Sequence, residues 1–152
     1  MQKHKACIFC DPESVISTMP RLQENIISCV AAFAQDAAAE ALGCKELRRE
    51  SILRMKEQYE VRRNVFSAGI NGTGKLSVRR PRGAFYLFVN TSRSGIDDVA
   101  FCEQLLEKEN ALASPGSAFG NMGRNYVRFS YAASMNDIEE AVRRIQHFVA
   151  NM

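Results

Sequence analysis

The residue of this chain whose type and setting best suit chemistry is Arg128, an arginine within an apolar and aromatic run. A planar guanidinium can hold a carboxylate through two parallel hydrogen bonds, whereas a lysine ammonium cannot. Strand alternation would place Arg128 on the face opposite Val127 and Phe129. The preceding loop, Gly116 to Gly123, carries glycines that allow a ligand to approach the backbone closely. Two interpretations stay open on these residues alone: a carboxylate site, or the commoner solvated or paired surface arginine.

The segment from Gly69 to Lys75 fits the pattern G-x-x-x-x-G-K, the start of a phosphate-binding loop. Such a loop continues with Ser or Thr as a magnesium ligand, but this chain has Leu76 there. The pattern must also lie between a strand and a helix, whereas here a predicted helix precedes it and a predicted strand follows. We therefore interpret the segment as a helix-to-strand turn and expect no nucleotide site.

Cys7 and Cys10 form a C-x-x-C pair with His4 ahead of it, a pattern that could indicate zinc binding or redox chemistry. A structural zinc site needs four ligands, usually in two spaced pairs, and the sequence contains no second pair. The other cysteines lie on predicted helices: Cys29, Cys44 and Cys102. Since buried thiols behave as small apolar groups, we expect that role for all five cysteines and no metal site.

Composition and charge exclude several classes of protein. Hydrophobic residues make up 46% of the 152 residues and charged residues 24%, the balance of an ordinary globular protein of one domain. The net charge of +3 is too small to indicate nucleic-acid binding. No apolar run approaches the roughly 18 residues of a membrane span, and the N-terminal apolar stretch is too short for a signal peptide. An odd number of cysteines suggests a reducing compartment, so we expect a cytoplasmic protein.

Periodicity predicts the elements that would position Arg128. A long helical region occupies residues 1–44, and Pro20 should break or kink it. Asn136 with Glu139 forms the capping-box pattern of the last helix. The full set is helices over 12–42 and 45–67, from 97 or 98, and from 136, with strands over 6–10, 76–79, 84–90, 111–114 and 126–131. This order predicts an α+β fold in a single domain over residues 1–152, with a small mixed or antiparallel sheet and helices packed on one face.

Four segments of the second half follow one another at a spacing typical of one family. Residues 81–88 resemble its P-x-G-(A/T)-F-Y-x-F strand, and residues 101–109 are similar to its F-x-x-x-L-L-x-E helix. Residues 113–120 resemble its x-P-G-x-x-F-G loop, and residues 126–132 its x-x-R-(I/L/F)-S-x-A strand. The family is that of the class I and II aminotransferases, pyridoxal-phosphate enzymes of fold type I. Because the first helix resembles the segment just after the family's cofactor lysine, the resemblance covers roughly Cys10 to Met152.

The resemblance implies the fold of the family's C-terminal, small domain. In the complete enzyme it implies amino transfer between an amino acid and a 2-oxo acid, with pyridoxal 5'-phosphate as cofactor. Arg128 matches the arginine that binds the substrate α-carboxylate, and Phe85 matches an aromatic residue that approaches the active site. An inward aromatic side chain on a strand is equally a core residue, so both interpretations of Phe85 stay open. The implied partners are a large cofactor-binding domain or a homo-oligomer such as a dimer.

The family's catalytic groups have no counterpart in this sequence. Its cofactor lysine follows an S-x-S pattern, and neither Lys45, Lys56 nor Lys75 has such neighbours. His4 or Lys3 falls near the position of a phosphate-binding arginine of the family. We therefore expect no catalytic residue, no cofactor bound by this chain alone and no activity alone. The alternative is a non-catalytic binding or oligomerisation module derived from an aminotransferase, whose exposed apolar face would drive self-association.

Overall fold

The computed structural model describes residues 12–27 and 29–152. The chain divides into two compact units, Met1–Arg54 and Met55–Met152. The boundary between them falls within one long helix, α4 (Lys45–Asn71). The single domain over residues 1–152 stays a prediction. The strand expected over 6–10, the C-x-x-C pair and the basic residues at positions 3 and 4 lie outside the described residues.

The first unit contains short helices where the sequence predicted one long helix. They are α1 (Glu13–Ile16), α2 (Met19–Ile27) and α3 (Ala32–Gly43). Pro20 lies in the first turn of α2, where N–H groups have no partner within the helix, so its missing N–H costs no hydrogen bond. The break falls just before it, since α1 ends at Ile16, whose carbonyl the Pro20 ring would meet in a continuous helix. The hydroxyls of Ser17 and Thr18 donate to the Ser14 carbonyl at 3.2 and 3.1 Å. Such bonds offer the backbone an alternative to the helical ladder.

Helix α4 ends at Asn71, four residues beyond the predicted end at Ser67. Gly69 lies inside it, at the point where α4 passes Val142. A Cβ on Gly69 would overlap the methyl groups of Val142, so glycine is what allows this close approach. The segment from Gly69 to Lys75 thus starts within a helix, which is not the context of a phosphate-binding loop.

The strand predicted over residues 76–79 is wrong. The segment makes one isolated bridge, between Ser77 and Asn90. The other side of the segment is bonded to Asn71, whose side chain accepts from the Val78 N–H at 2.8 Å and donates to the Val78 carbonyl at 3.2 Å. Because Ser77 bonds the strand that contains Asn90, Val78 faces away from that strand. The next residues to face it would be Arg79 and Pro81, of which proline has no N–H to donate to a ladder.

A three-stranded antiparallel sheet, in the order β1-β3-β2, confirms the predicted fold class. Its strands are β1 (Tyr86–Asn90), β2 (Ser114–Pro115) and β3 (Tyr126–Ser130). β1 and β3 pair along their whole length, with Phe88 opposite Arg128. β1 starts two residues later than predicted, because Ala84 takes a positive φ of 57° and its carbonyl accepts from the Tyr131 hydroxyl at 2.9 Å.

The two remaining helices are α5 (Asp98–Glu109) and α6 (Met135–Ala150). The sequence left the start of α5 open between residues 97 and 98, and the side chain of Asp97 is the cap, accepting from the N–H groups of Val99 and Ala100 at 2.9 Å each. The capping box predicted from Asn136 and Glu139 is wrong. The chain enters α6 earlier, so the box is formed two residues upstream, where Ser134 caps and Asp137 completes the pair.

One face of the sheet forms the core of the second unit. Leu87 and Val89 of β1 and Val127 and Phe129 of β3 are buried there. The helical residues that pack in this core are Phe66 and Ile70 of α4, Phe101 and Leu105 of α5, and Ile138, Ile145 and Phe148 of α6. Phe66 meets Phe129 edge to face at a centroid distance of 5.7 Å, a favourable ring arrangement. The opposite face of the sheet, which carries Arg128, stays half-buried or exposed.

Candidate functional site

Arg128 lies in the middle of β3 on the face of the sheet that points away from the core. Its neighbours along the strand, Val127 and Phe129, are buried, whereas Arg128 is half-buried. This is the placement that strand alternation predicted. The residue paired with Arg128 across the ladder is Phe88, which stacks on Tyr126 at a centroid distance of 5.0 Å. The guanidinium therefore emerges from a surface of aromatic side chains.

Two aromatic rings hold the guanidinium of Arg128. Its Cζ atom lies 4.3 Å from the ring centroid of Tyr86 and 4.2 Å from that of Phe119. A cation over an aromatic ring gains about 0.5–1 kcal/mol at an exposed site and more when water is excluded. Rings cannot accept strong hydrogen bonds, so these contacts fix the guanidinium without using its N–H donors.

No residue in the described part of the chain acts as a counter-ion to Arg128. Across residues 12–27 and 29–152, no carboxylate or carbonyl accepts a hydrogen bond from its guanidinium, and no ion pair includes it. Arg144 offers a contrast, since its guanidinium bonds Glu140 at 2.6 Å and the carbonyl of Glu109 at 2.8 Å. A half-buried guanidinium with five free donors can take an anion from outside the chain.

The Phe119 ring comes from a loop that folds tightly back on itself. A 3-10 helix, Gly116–Phe119, leads into Gly120, whose φ of 116° suits only glycine. The base of the loop is closed by Gly116 and Gly123, whose backbones touch so closely that a Cβ on either would overlap the other. The loop thus projects Phe119, which is 52% exposed, toward the sheet.

Asp98, the first residue of α5, binds the two ends of this loop. Its carboxylate accepts from the backbone N–H of Ser117 at 2.8 Å and of Asn125 at 3.4 Å. The side chain is only 4% exposed. Burial alone would raise the pKa of Asp98, but the hydrogen bonds from Ser117 and Asn125 outweigh it and hold the pKa below the ordinary value of 3.8. Asp98 is therefore a carboxylate that stays ionised inside the fold.

Phe85, the other residue expected at the site, contributes through its neighbour. It is 38% exposed, so it is not a core residue. Its ring lies 4.6 Å from that of Tyr86 and 6.1 Å from that of Tyr59. Phe85 thus supports the ring on which Arg128 rests, and its contact with a substrate stays a prediction.

Three residues of the site were not expected from the sequence: Tyr86, Phe119 and Asp98. Tyr86 and Phe119 lie inside the family motifs, but a motif does not indicate which of its side chains meet in space. For Asp98 the available signal was its position beside the capping residue Asp97. One acidic side chain is enough to cap a helix, so the second has another role.

Other kinds of site find little support in the described part of the chain. No cluster of three or more His, Cys, Asp or Glu among residues 12–27 and 29–152 could hold a metal ion. Of the cysteines, Cys102 is buried as expected, whereas Cys29 is exposed. Within the same ranges, no helix combines the length and the apolar character needed to cross a membrane.

The sequence is similar to aminotransferases over most of its length. It matches the family model for aminotransferase class I and II over residues 5–145. It is 40% identical over 135 residues to an aspartate aminotransferase of Pyrococcus horikoshii, covering 89% of this chain and 34% of that protein. It is 37% identical over 135 residues to aromatic-amino-acid aminotransferase 2 of Thermococcus litoralis, with the same two coverages of 89% and 34%.

Solved structures share the fold. The aromatic aminotransferase of Pyrococcus horikoshii matches with a TM-score of 0.82 at 33% identity, over 92% of this chain and 37% of that one. The aspartate aminotransferase of Thermus thermophilus with maleate matches with a TM-score of 0.80 at 33% identity, over 91% and 35%. The chain spans about a third of the length of the curated relatives it matches. The fold, the four motifs and the match over residues 5–145 together show that this chain belongs to the class I and II aminotransferases.

Proposed function

We propose that this chain is the C-terminal, substrate-binding domain of an aminotransferase and that Arg128 binds the α-carboxylate of the substrate. The observation that carries the proposal is the half-buried guanidinium on Tyr86 and Phe119, with no acidic partner in the described ranges. Removing a cation from water without a counter-ion is unfavourable, so such a site favours an anion supplied from outside. A carboxylate matches the guanidinium in shape and charge.

One relative of known structure binds molecules that carry a carboxylate. One solved structure of Thermus thermophilus aspartate aminotransferase contains maleate, and a structure of a mutant of that enzyme contains tryptophan. A carboxylate is the group that these two molecules share. For the complete enzyme we propose amino transfer between an amino acid and a 2-oxo acid.

Within this site the chain's own residues bind and orient. Two hydrogen bonds from Arg128 to one carboxylate would fix both the position and the plane of the substrate's acid end. The rings of Tyr86 and Phe119 displace water from the guanidinium, which strengthens its attraction for the carboxylate. Phe85 would help to hold the Tyr86 ring in place by packing against it.

The residues around Arg128 do not fit pyridoxal phosphate, which in this family would supply the electron sink for the reaction. Attachment of that cofactor needs an amine, and the site is built from aromatic rings and hydroxyl groups. Lys75 is engaged elsewhere, donating to the carbonyls of Val149 and Met152 at 3.2 Å each. We propose that the cofactor binds a large domain with which this chain works, and that the chain alone neither binds it nor transfers amino groups.

The first unit offers a surface for that large domain or for a second copy of the chain in a dimer. None of the residues described between 12 and 54 is buried. Several of them are large and apolar: Leu22, Ile26, Leu42, Leu47, Ile52 and Leu53. Apolar surface of this kind on helices is typical of an interface. The cytoplasm is the compartment we propose for the assembly.

The same surface supports the alternative function, a non-catalytic oligomerisation module. Sedimentation of the purified chain, with and without a separately produced large domain of a relative, separates the two. Binding of the large domain in place of self-association supports the transaminase role. Stable self-association that the large domain does not disrupt supports the module.

A titration with sodium maleate tests the proposed role of Arg128. The backbone amide resonances of β1 and β3 should shift saturably, and sodium chloride at equal ionic strength should not reproduce the shift. Arg128→Lys removes the bidentate geometry and should weaken binding at least about tenfold. Arg124→Lys, on the loop just before β3, is the matched control and should bind like the wild type. Because lysine keeps the positive charge, wild-type binding in Arg128→Lys would point to general electrostatic attraction and contradict the proposal.

A further inference from the structure

We propose that Asp98 is a positioning residue for the Arg128 site: by holding both ends of the loop from Ser117 to Asn125, it keeps the Phe119 ring against the guanidinium. The inference rests on the proposed role of Arg128 as a carboxylate ligand. It assigns to the start of α5 a part in substrate binding, although Asp98 itself touches no substrate.

The first step is the pair of hydrogen bonds that Asp98 accepts. One carboxylate oxygen binds the Ser117 N–H at 2.8 Å, and the other binds the Asn125 N–H at 3.4 Å. Ser117 opens the loop and Asn125 closes it, so a single side chain ties the two ends together. No backbone carbonyl in the described ranges accepts from the Ser117 N–H, which makes Asp98 its only acceptor there.

The second step is that the two ends of the loop differ in their other anchors. Asn125 has a second one, because its carbonyl accepts from the Thr91 N–H at 2.8 Å and from the Thr91 hydroxyl at 2.9 Å. At the Ser117 end, the other anchors lie upstream of Ser117: β2 pairs with β3, and Gly116 packs against Gly123 and the Tyr126 carbonyl. Loss of Asp98 should therefore loosen the 3-10 helix after Gly116, the segment that carries Phe119.

The third step is that the two rings on Arg128 are placed by different parts of the fold. Tyr86 lies on β1 and is held by the ladder, where it pairs with Ser130. Phe119 lies on the loop, and its ring centroid is 4.2 Å from the Arg128 Cζ atom. A change at Asp98 should thus disturb the Phe119 contact and spare the Tyr86 contact. A general loss of stability would disturb both.

The test compares three variants of the full chain by the side-chain Nε–Hε resonance of Arg128, which nearby aromatic rings shift. Phe119→Leu removes one ring and shows the full size and direction of that effect. Asp98→Asn keeps the volume but replaces one acceptor oxygen with a donor, and its resonance should move in the same direction as in Phe119→Leu. Asp97→Asn is the matched control, since it loses the same charge one residue away and asparagine caps helices equally well.

Two further readouts accompany the resonance. The maleate dissociation constant of Asp98→Asn should rise at least about threefold, the factor that corresponds to the loss of a weak cation–π contact. In the wild type, the Ser117 amide should exchange with solvent at least about tenfold more slowly than an unprotected amide. The exchange measurement decides the matter even where Asp98→Asn fails to fold.

The proposal is overturned if folded Asp98→Asn keeps the wild-type Arg128 resonance while Phe119→Leu shifts it. It is equally overturned if the wild-type Ser117 amide exchanges without protection. A wild-type chain that does not bind maleate refutes the proposed function instead. The resonance comparison still decides the positioning role in that case, because it is made on the ligand-free protein.

Discussion

Substitution of Gly116 by alanine should open the loop that carries Phe119. A Cβ on Gly116 would lie 2.6 Å from the carbonyl oxygen of Tyr126 and would also overlap the carbonyl of Gly123. Both are backbone atoms, and Tyr126 belongs to the sheet, so neither can swing aside as the end of a side chain could. The loop must therefore move away from β3 to admit the methyl group.

The expected cost follows from two opposing effects. Forcing a methyl group into a packed site costs about 1–3 kcal/mol of unfolding free energy. Replacing glycine by alanine also restricts the unfolded chain, which returns about 0.4–1 kcal/mol. Gly83→Ala is the matched control, because a Cβ there meets nothing within 4 Å and its φ is not positive. Relative to Gly83→Ala, we expect Gly116→Ala to be less stable by about 1–3 kcal/mol.

Urea unfolding followed by tyrosine fluorescence measures this difference. All 4 tyrosines lie in the second unit, so the signal reports on the unit that contains both glycines. A difference of about 2 kcal/mol shifts the urea midpoint by roughly 1 M for a protein of this size. Equal midpoints for the two variants would refute the packing of Gly116 against Gly123 and β3, and with it our account of how Phe119 is held.

Three further predictions concern single side chains of the second unit. Tyr131→Phe removes the hydroxyl that donates to the Ala84 carbonyl. Urea unfolding should show that this lowers the unfolding free energy by about 1 kcal/mol. Because the pKa of Asp98 is lowered from 3.8, its contribution to stability is complete above that pH and is lost as pH falls through the lowered pKa. The stability gap between wild type and Asp98→Asn, measured by urea unfolding at several pH values, should therefore narrow below about pH 4. A stability gap between the two proteins that stays constant with pH would contradict this prediction. Burial, helped by the charges of Asp98 and Glu103, raises the pKa of Cys102 to about 11. Peptide mass spectrometry after alkylation near neutral pH should find exposed Cys29 labelled and Cys102 unlabelled.

The parts of this molecule that were predictable from sequence are those that local pattern controls. The period of two along β3 placed Arg128 opposite Val127 and Phe129, because the pleat of a strand leaves no other arrangement. The start of α5 at residue 97 or 98 was equally visible, since a capping carboxylate and the N–H groups that it binds are close in sequence. The antiparallel sheet with helices on one face followed from the order of the elements.

The parts that were not predictable depend on contacts between distant residues. The segment around Ser77 has a strand-like composition, but it makes a single bridge to β1, and the Val78 backbone groups bond the side chain of Asn71 instead of a neighbouring strand. Likewise, nothing in the local sequence indicates that Phe119 reaches Arg128, because that contact depends on how the loop closes on Asp98. Periodicity describes single elements, whereas this site is assembled from four: β1, α5, the loop that carries Phe119, and β3.

A crystal structure of the chain grown with maleate tests the central claim most directly. The account predicts one carboxylate of maleate in bidentate contact with the Arg128 guanidinium, at about 2.7–2.9 Å, beside the rings of Tyr86 and Phe119. Maleate bound at another arginine while Arg128 stays without an anion, or an internal carboxylate found paired with Arg128, would contradict it.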